Sequence, residues 1–148
     1  MKKFYLLLIA IAAIFSSCDI NTTKVIKPGV DIITIYKDVA PEKWIQSGVA
    51  GMPGCYVYQE FKMPEIDNKV IREGAVMAYL VDNDNRDNPL PYVCPFDNGR
   101  NEIMQNIRFE AEKGYFAIVV EWQDFGAYAA DLNPMKIKVC ILSPGDDD

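Results

Sequence analysis

Residues 102–110, Glu-Ile-Met-Gln-Asn-Ile-Arg-Phe-Glu, run through Ala111-Glu-Lys-Gly114 into residues 115–122, Tyr-Phe-Ala-Ile-Val-Val-Glu-Trp. The first segment sets Ile103, Ile107 and Phe109 on one face at a period of two, which is the spacing of a half-buried strand. The second is rich in β-branched and aromatic residues, and the glycine-containing link is short enough to fold one strand back on the other. A β-hairpin is therefore predicted over 102–122. It makes strand pairing the organising principle of the chain.

The flanking segments repeat the pattern. Val30 to Val39 alternates Ile33 and Ile35 against Thr34 and Tyr36 and stops before Pro41. Gly54 to Met63 sets Cys55 and Val57 against Tyr56 and Tyr58. Ala75 to Val81 is nearly all apolar, which predicts a strand covered on both faces at the centre of the sheet system. Leu90 to Phe96 holds Pro91 and Pro95 and is confined to an edge, and Met135 to Leu142 turns Lys136 and Lys138 outward. Between these, Pro64 to Glu73 can form a short helix with Pro64 near its start, Gly74 at its stop, and Ile66, Val70 and Ile71 inward. Gln123 to Pro134 is long enough to cross between sheets. About seven strands with one helical turn predict an all-β chain, a single β-sandwich over residues 30–142 with immunoglobulin-like connections.

The N-terminus has a different character. Lys2 and Lys3 precede an unbroken apolar run, Phe4 to Phe15, closed by Ser16-Ser17-Cys18. The run spans about 18 Å as a helix, against the roughly 30 Å of a bilayer core. This is the build of an export signal rather than of a permanent span. The segment resembles the signal of bacterial lipoproteins, with Phe15 where leucine is usual. The resemblance implies removal of residues 1–17, lipidation of Cys18 with acyl chains such as palmitate, and attachment to a membrane of the cell envelope, the outer membrane being favoured. Residues 18–29, polar and ending in Pro28-Gly29, are expected to be a tether, and residues 143–148, with three terminal aspartates, a disordered tail. The domain also resembles uncharacterised small lipoproteins of Gram-negative gut anaerobes. That likeness rests on Trp44, Gly54-Cys-Tyr-Val-Tyr58, Phe61, Met63-Pro-Glu-Ile66, Val70, Gly74-Ala-Val-Met-Ala-Tyr-Leu80 and Leu90-Pro-Tyr92. It implies a β-sandwich of unknown role and carries over no catalytic residue.

Removing the signal leaves 13 basic against 21 acidic residues, a net charge near −8. Nucleic acid and anionic surfaces reward clustered Lys and Arg, so nucleic acid is not expected as a partner. Beyond Cys18 the chain keeps Cys55, Cys94 and Cys140, an odd number in apolar strand contexts. Buried free thiols are expected ahead of one disulfide. The chain has no histidine and no C-x-x-C, so neither a zinc site nor another cofactor is expected.

Four constellations invite function. Asp82, Asp84 and Asp87 in DNDNRDN space oxygens as a calcium loop does, but Arg86 stands where a third ligand belongs and no glycine follows; they are weak metal candidates, and a solvated turn is favoured. Gly48, Gly51 and Gly54 precede a strand and not a helix, so they are turn formers and not a phosphate cradle. Trp44, Trp122, Tyr128 and the Tyr56–Tyr58 pair can build a core rim or an aromatic platform; if a platform exists, Trp122, Phe125 and Tyr128 beside the long link are its best location. Glu121 with Asp124 are the carboxylates that a glycan hydrolase would use. The expectation is a lipid-anchored, non-enzymatic binding or assembly module with a glycan or protein partner, the alternative being an envelope hydrolase acting on glycans through paired carboxylates.

Overall fold

A computed structural model of the chain describes residues 22–27 and 29–145. The expected signal 1–17, Cys18, the first residues of the tether and the aspartates 146–148 lie outside the described residues. Among the described residues ten strands form: β1 Thr22–Lys27, β2 Val30–Val39, β3 Ile45–Ser47, β4 Tyr56–Lys62, β5 Ala75–Val81, β6 Asp87–Pro89, β7 Tyr92–Asp97, β8 Glu102–Glu112, β9 Tyr115–Trp122 and β10 Met135–Pro144. One helix, α1 (Asn68–Glu73), and two single 3-10 turns, Pro41–Lys43 and Ala129–Asp131, complete the described chain. The strands make two five-stranded sheets, β1-β2-β10-β5-β6 and β3-β4-β9-β8-β7, packed as an all-β sandwich.

The predicted β8–β9 hairpin forms, with Gln105 opposite Trp122; its turn is tighter than expected, since Ala111 and Glu112 still pair, with Phe116 and Tyr115. Alternation along β9 sends Phe116, Ile118, Val120 and Trp122 into the core, where they meet Ile35 and Val39 of β2, Ala78 of β5 and Ile137, Val139 and Ile141 of β10. Each such side chain contributes about 1.5–3 kcal/mol when fully buried. β7 lies at a sheet edge, as Pro95 within it requires, and the link after Trp122 crosses between the sheets.

Several expectations are corrected. Three strands lie beyond the seven expected: β1, β3 and β6. Residues 22–27, expected within the tether, pair along β2 from Thr22↔Ile35 to Lys27↔Val30. β10 runs two residues past the expected domain end, and the Gly145 amide donates to the Gly29 carbonyl at 3.1 Å. The connections are not immunoglobulin-like: β8 and β9 stay neighbours in one sheet and β4 pairs with β9, whereas the corresponding immunoglobulin strands E and F lie in different sheets and B pairs with E. β5 is covered on one face only, since Met77 on the other is 41% exposed. The helix begins four residues after Pro64, where the Asp67 carboxylate accepts the Val70 amide at 2.8 Å; Ile66 and Val70 point inward as expected, but Ile71 is exposed.

How the sheets stack decides what shares an end. Gln59 of β4 reaches across to the backbone just past β2, donating to the Ala40 carbonyl at 3.0 Å and accepting the Ala40 amide at 3.3 Å. Two residues further along β4, the Phe61 ring lies 5.9 Å from the ammonium of Lys37, three residues earlier on the β2 side. β2 and β4 therefore run antiparallel across the core. It follows that the end where β2 and β5 finish and β10 starts is also where β4 starts and β7 and β9 finish. Because β1 is antiparallel to β2, its first residue faces the same end, called the loop end below.

Candidate functional site

Five connections gather at the loop end: residues 40–44, residues 48–54, residues 82–86, the turn 98–101 and the link 123–134. In the second, Gly48, Gly51 and Gly54 all have φ between +80° and +86°, a region that favours glycine. They act as turn formers, as the sequence suggests. At Gly48 a Cβ would stand 2.9 Å from the Gly54 carbonyl oxygen, so the loop closes only around a glycine. This loop is tied to the link: the Gly51 amide donates to the Phe125 carbonyl at 2.7 Å, and the Cys55 thiol to the Gly126 carbonyl at 3.7 Å.

The link carries the expected aromatic set, and the structure separates its members. Trp122 is 2% exposed and belongs to the core. Tyr128 packs edge-on against it at 5.5 Å and also against Phe96 at 5.5 Å, so the indole is covered rather than offered to a ligand. Phe125 is the exposed member, held at φ +58° with its amide on the Trp122 carbonyl. Trp44 also packs against the core. Tyr56 and Tyr58 sit apart on the outer face of the second sheet, 6.1 Å centre to centre, with the Arg108 guanidinium 5.9 Å over Tyr56.

The two carboxylates proposed for a hydrolase are held by different partners. Glu121 accepts from Arg108 at 2.9 Å, and Arg108 also pairs with Glu110. Desolvation opposes the charge on Arg108, but the hydrogen bonds it donates to Glu121 and Glu110 outweigh it and raise its pKa. Asp124 accepts the Tyr128 hydroxyl at 2.6 Å, the Asn98 amide at 3.1 Å and the Gly126 backbone amide at 3.0 Å. The Tyr128 hydrogen bond is the main cause that holds the Asp124 carboxyl below its ordinary pKa, and the same bond pushes Tyr128 above its own. This triad fastens the link to the 98–101 turn. Sequence reasoning missed Asn98 and Arg108, because each acts on a residue brought near only by strand pairing.

In the 82–86 loop, Arg86 takes the place of a cation. Asp82 accepts the Asp84 and Arg86 amides at 2.9 and 2.8 Å and the Arg86 Nε at 2.9 Å, and Asp84 accepts Arg86 Nη2 at 2.8 Å. The backbone bond from Arg86 is the largest contribution to the lowered pKa of Asp82. Asp87 is turned away from the pair and bound to Lys138 at 2.5 Å, which raises the lysine's pKa. Among the described residues no group of three metal-ligating side chains converges. Beside this loop lies an open groove of about 570 Å³, with Asp38, Glu42, Asp82 and Lys136 in its walls.

The three remaining thiols are free. Cys55 is buried; Cys94 and Cys140, expected to be buried as well, are half-buried on opposite sheets. No protein-family model, curated protein or solved structure matches the chain. Among the described residues no helix is long and apolar enough to cross a membrane.

Proposed function

We propose that the protein is a lipid-anchored component of the bacterial cell envelope, in which the β-sandwich serves as a non-enzymatic binding or assembly module. The observation that carries the reading is the order Lys2-Lys3, Phe4 to Phe15, Ser16-Ser17-Cys18 at the head of the chain: charge, a short apolar run, then small residues before a cysteine. Several acyl chains on one cysteine, at about 0.8 kcal/mol per buried CH2, would hold the domain firmly to a bilayer. Support for a non-catalytic role comes from the loop end, where each carboxylate of the Glu121/Asp124 pair already has its own cation or hydroxyl.

Cell fractionation of the wild-type protein and of Cys18→Ala tests the anchor: the wild type is expected in the membrane fraction and the variant in the soluble envelope fraction. Equal partitioning of the two would refute it. The binding role is tested by glycan arrays and by pull-down from envelope extracts, where silence in both would remove it.

A further inference from the structure

We infer that one half of the loop end, tipped by Val49, Met52 and Phe125, docks on the surface of the bilayer that holds the lipid of Cys18; the inference rests on the lipidation proposed above. Three observations converge on it. The first is position. β1 opens toward the loop end, and only Asp19, Ile20 and Asn21 separate Cys18 from Thr22. Thr22 pairs with Ile35, four positions short of the end of β2 at Val39; four residue steps reach at most about 14 Å, so a lipid on Cys18 turns the loop end, rather than the opposite end, toward the membrane. β1 also lies beside β2, which stacks on β4, so the start of β1 lies on the side of the sandwich from which the 48–54 loop projects.

The second is exposure. Val49 is 69% exposed, Met52 58% and Phe125 41%. They come from two connections, but the Gly51–Phe125 and Cys55–Gly126 contacts bind those connections into one surface. Single exposed apolar side chains are ordinary on soluble proteins, whereas a group of them held together on one protruding end marks an interaction site.

The third is charge. Residues 44–59 contain no Asp, Glu, Lys or Arg, and neither do residues 125–130, in a chain that is 24% charged. The opposite end carries Lys62, Glu65, Asp67, Lys69, Arg72 and Glu73 within twelve residues. A partner recognised through ion pairs would find none in the 44–59 segment. The headgroup–acyl boundary, which accepts apolar side chains a few ångströms deep, suits it. The remaining part of the loop end, with Glu42, Lys43, Asp82, Asp84, Arg86 and the groove beside them, keeps its charges and stays in water.

The test uses the full chain, purified from membranes and analysed first by intact mass for acyl chains. Val49→Trp, Phe125→Trp and, at the far end, Lys113→Trp are each reconstituted in vesicles of phosphatidylethanolamine and phosphatidylglycerol, with and without bromine on the acyl chains. Docking is supported if the added tryptophans at 49 and 125 shift to the blue and lose emission to bromine beyond the wild-type background, while the one at 113 does neither. Acylated protein with equal or no added quenching at the three positions overturns the docking and leaves the anchor standing. Quenching-free tryptophans at 49 and 125 that become shielded only when envelope proteins are added assign this end to a protein and overturn the docking as well. Absence of acyl mass overturns both readings.

Discussion

Replacing Gln59 by methionine removes the hydrogen-bonding amide that joins the two sheets near the loop end while keeping side-chain length and volume. Gln59 is the buried polar side chain among the described residues, 5% exposed, and both of its bonds go to Ala40, at 3.3 and 3.0 Å. The substitution leaves an amide and a carbonyl of Ala40 without their partner. Each orphaned buried group costs about 1–3 kcal/mol. Ala40 is half-buried, so water recovers part of each loss, and the low end applied twice gives about 2 kcal/mol. For a domain of this size that is a fall in Tm of about 6–10 °C. Urea unfolding followed by circular dichroism should show a lower midpoint with an unchanged slope, and Gln59→Ala should cost more because it also opens a cavity. A Gln59→Met protein within about 0.5 kcal/mol of wild type would refute the claim that this amide clamps β2 to β4.

Phe116, fully buried and stacked on Phe109 at 5.6 Å, should cost about 3–5 kcal/mol as Phe116→Ala in the same assay. Gly48→Ala and Gly51→Ala both force a side chain into the left-handed region, but only the first drives a Cβ into backbone, at 2.9 Å; calorimetry should show Gly51→Ala losing about 1 kcal/mol and Gly48→Ala clearly more. The Asp124–Tyr128 bond sets a pH window for the packing of the link. Asp124 is depressed, so its contribution is complete above 3.8 and is lost as pH falls through its lower folded value; Tyr128 is raised, so its contribution is complete below 10.0 and is lost as pH rises through its higher folded value. Near-ultraviolet dichroism from the Trp122–Tyr128 contact should be flat between those limits and change outside them, and Asp124→Asn should abolish the acid-side change. In thiol titration of the native protein, Cys94 and Cys140 should react before Cys55, whose side chain is 3% exposed.

The sandwich was legible wherever burial imposes a period of two. Ile33 and Ile35, Ile103 and Ile107, and the inward set of β9 all lie on the faces that alternation assigns. Trp122 falls on that same count, at an even step from Phe116, which is why its place is the core and not a platform. β1 was illegible because Thr-Thr-Lys-Val-Ile-Lys lacks sustained alternation and becomes a strand only when β2 offers an edge. The three-residue strands β3 and β6 are too short to carry any period. In Ala75–Val81 an apolar run suggested burial on two faces, yet only the face of Val76, Ala78 and Leu80 meets the core while Met77 on the other is exposed; composition does not report which face a helix or second sheet fails to cover. Topology was beyond reach for a similar reason, since β4 pairs with β9 across more than fifty residues and nothing local encodes the choice. At the loop end, Arg86 was visible as the residue that spoils a calcium loop, and the structure shows it neutralising the same aspartates. The left-handed Phe125 and the Asn98–Asp124–Tyr128 fastening arise from tertiary contact alone. The uncharged stretch 44–59 stood in plain view but acquires meaning only once its loop is known to share an end with the start of β1.

Intact mass spectrometry of the protein extracted from the membrane fraction decides whether Cys18 carries lipid. The expected species is a chain beginning at Cys18 and heavier than its amino-acid sequence by the mass of a diacylglyceryl group. A soluble species of unmodified mass, whether uncleaved or starting elsewhere, would contradict the anchor.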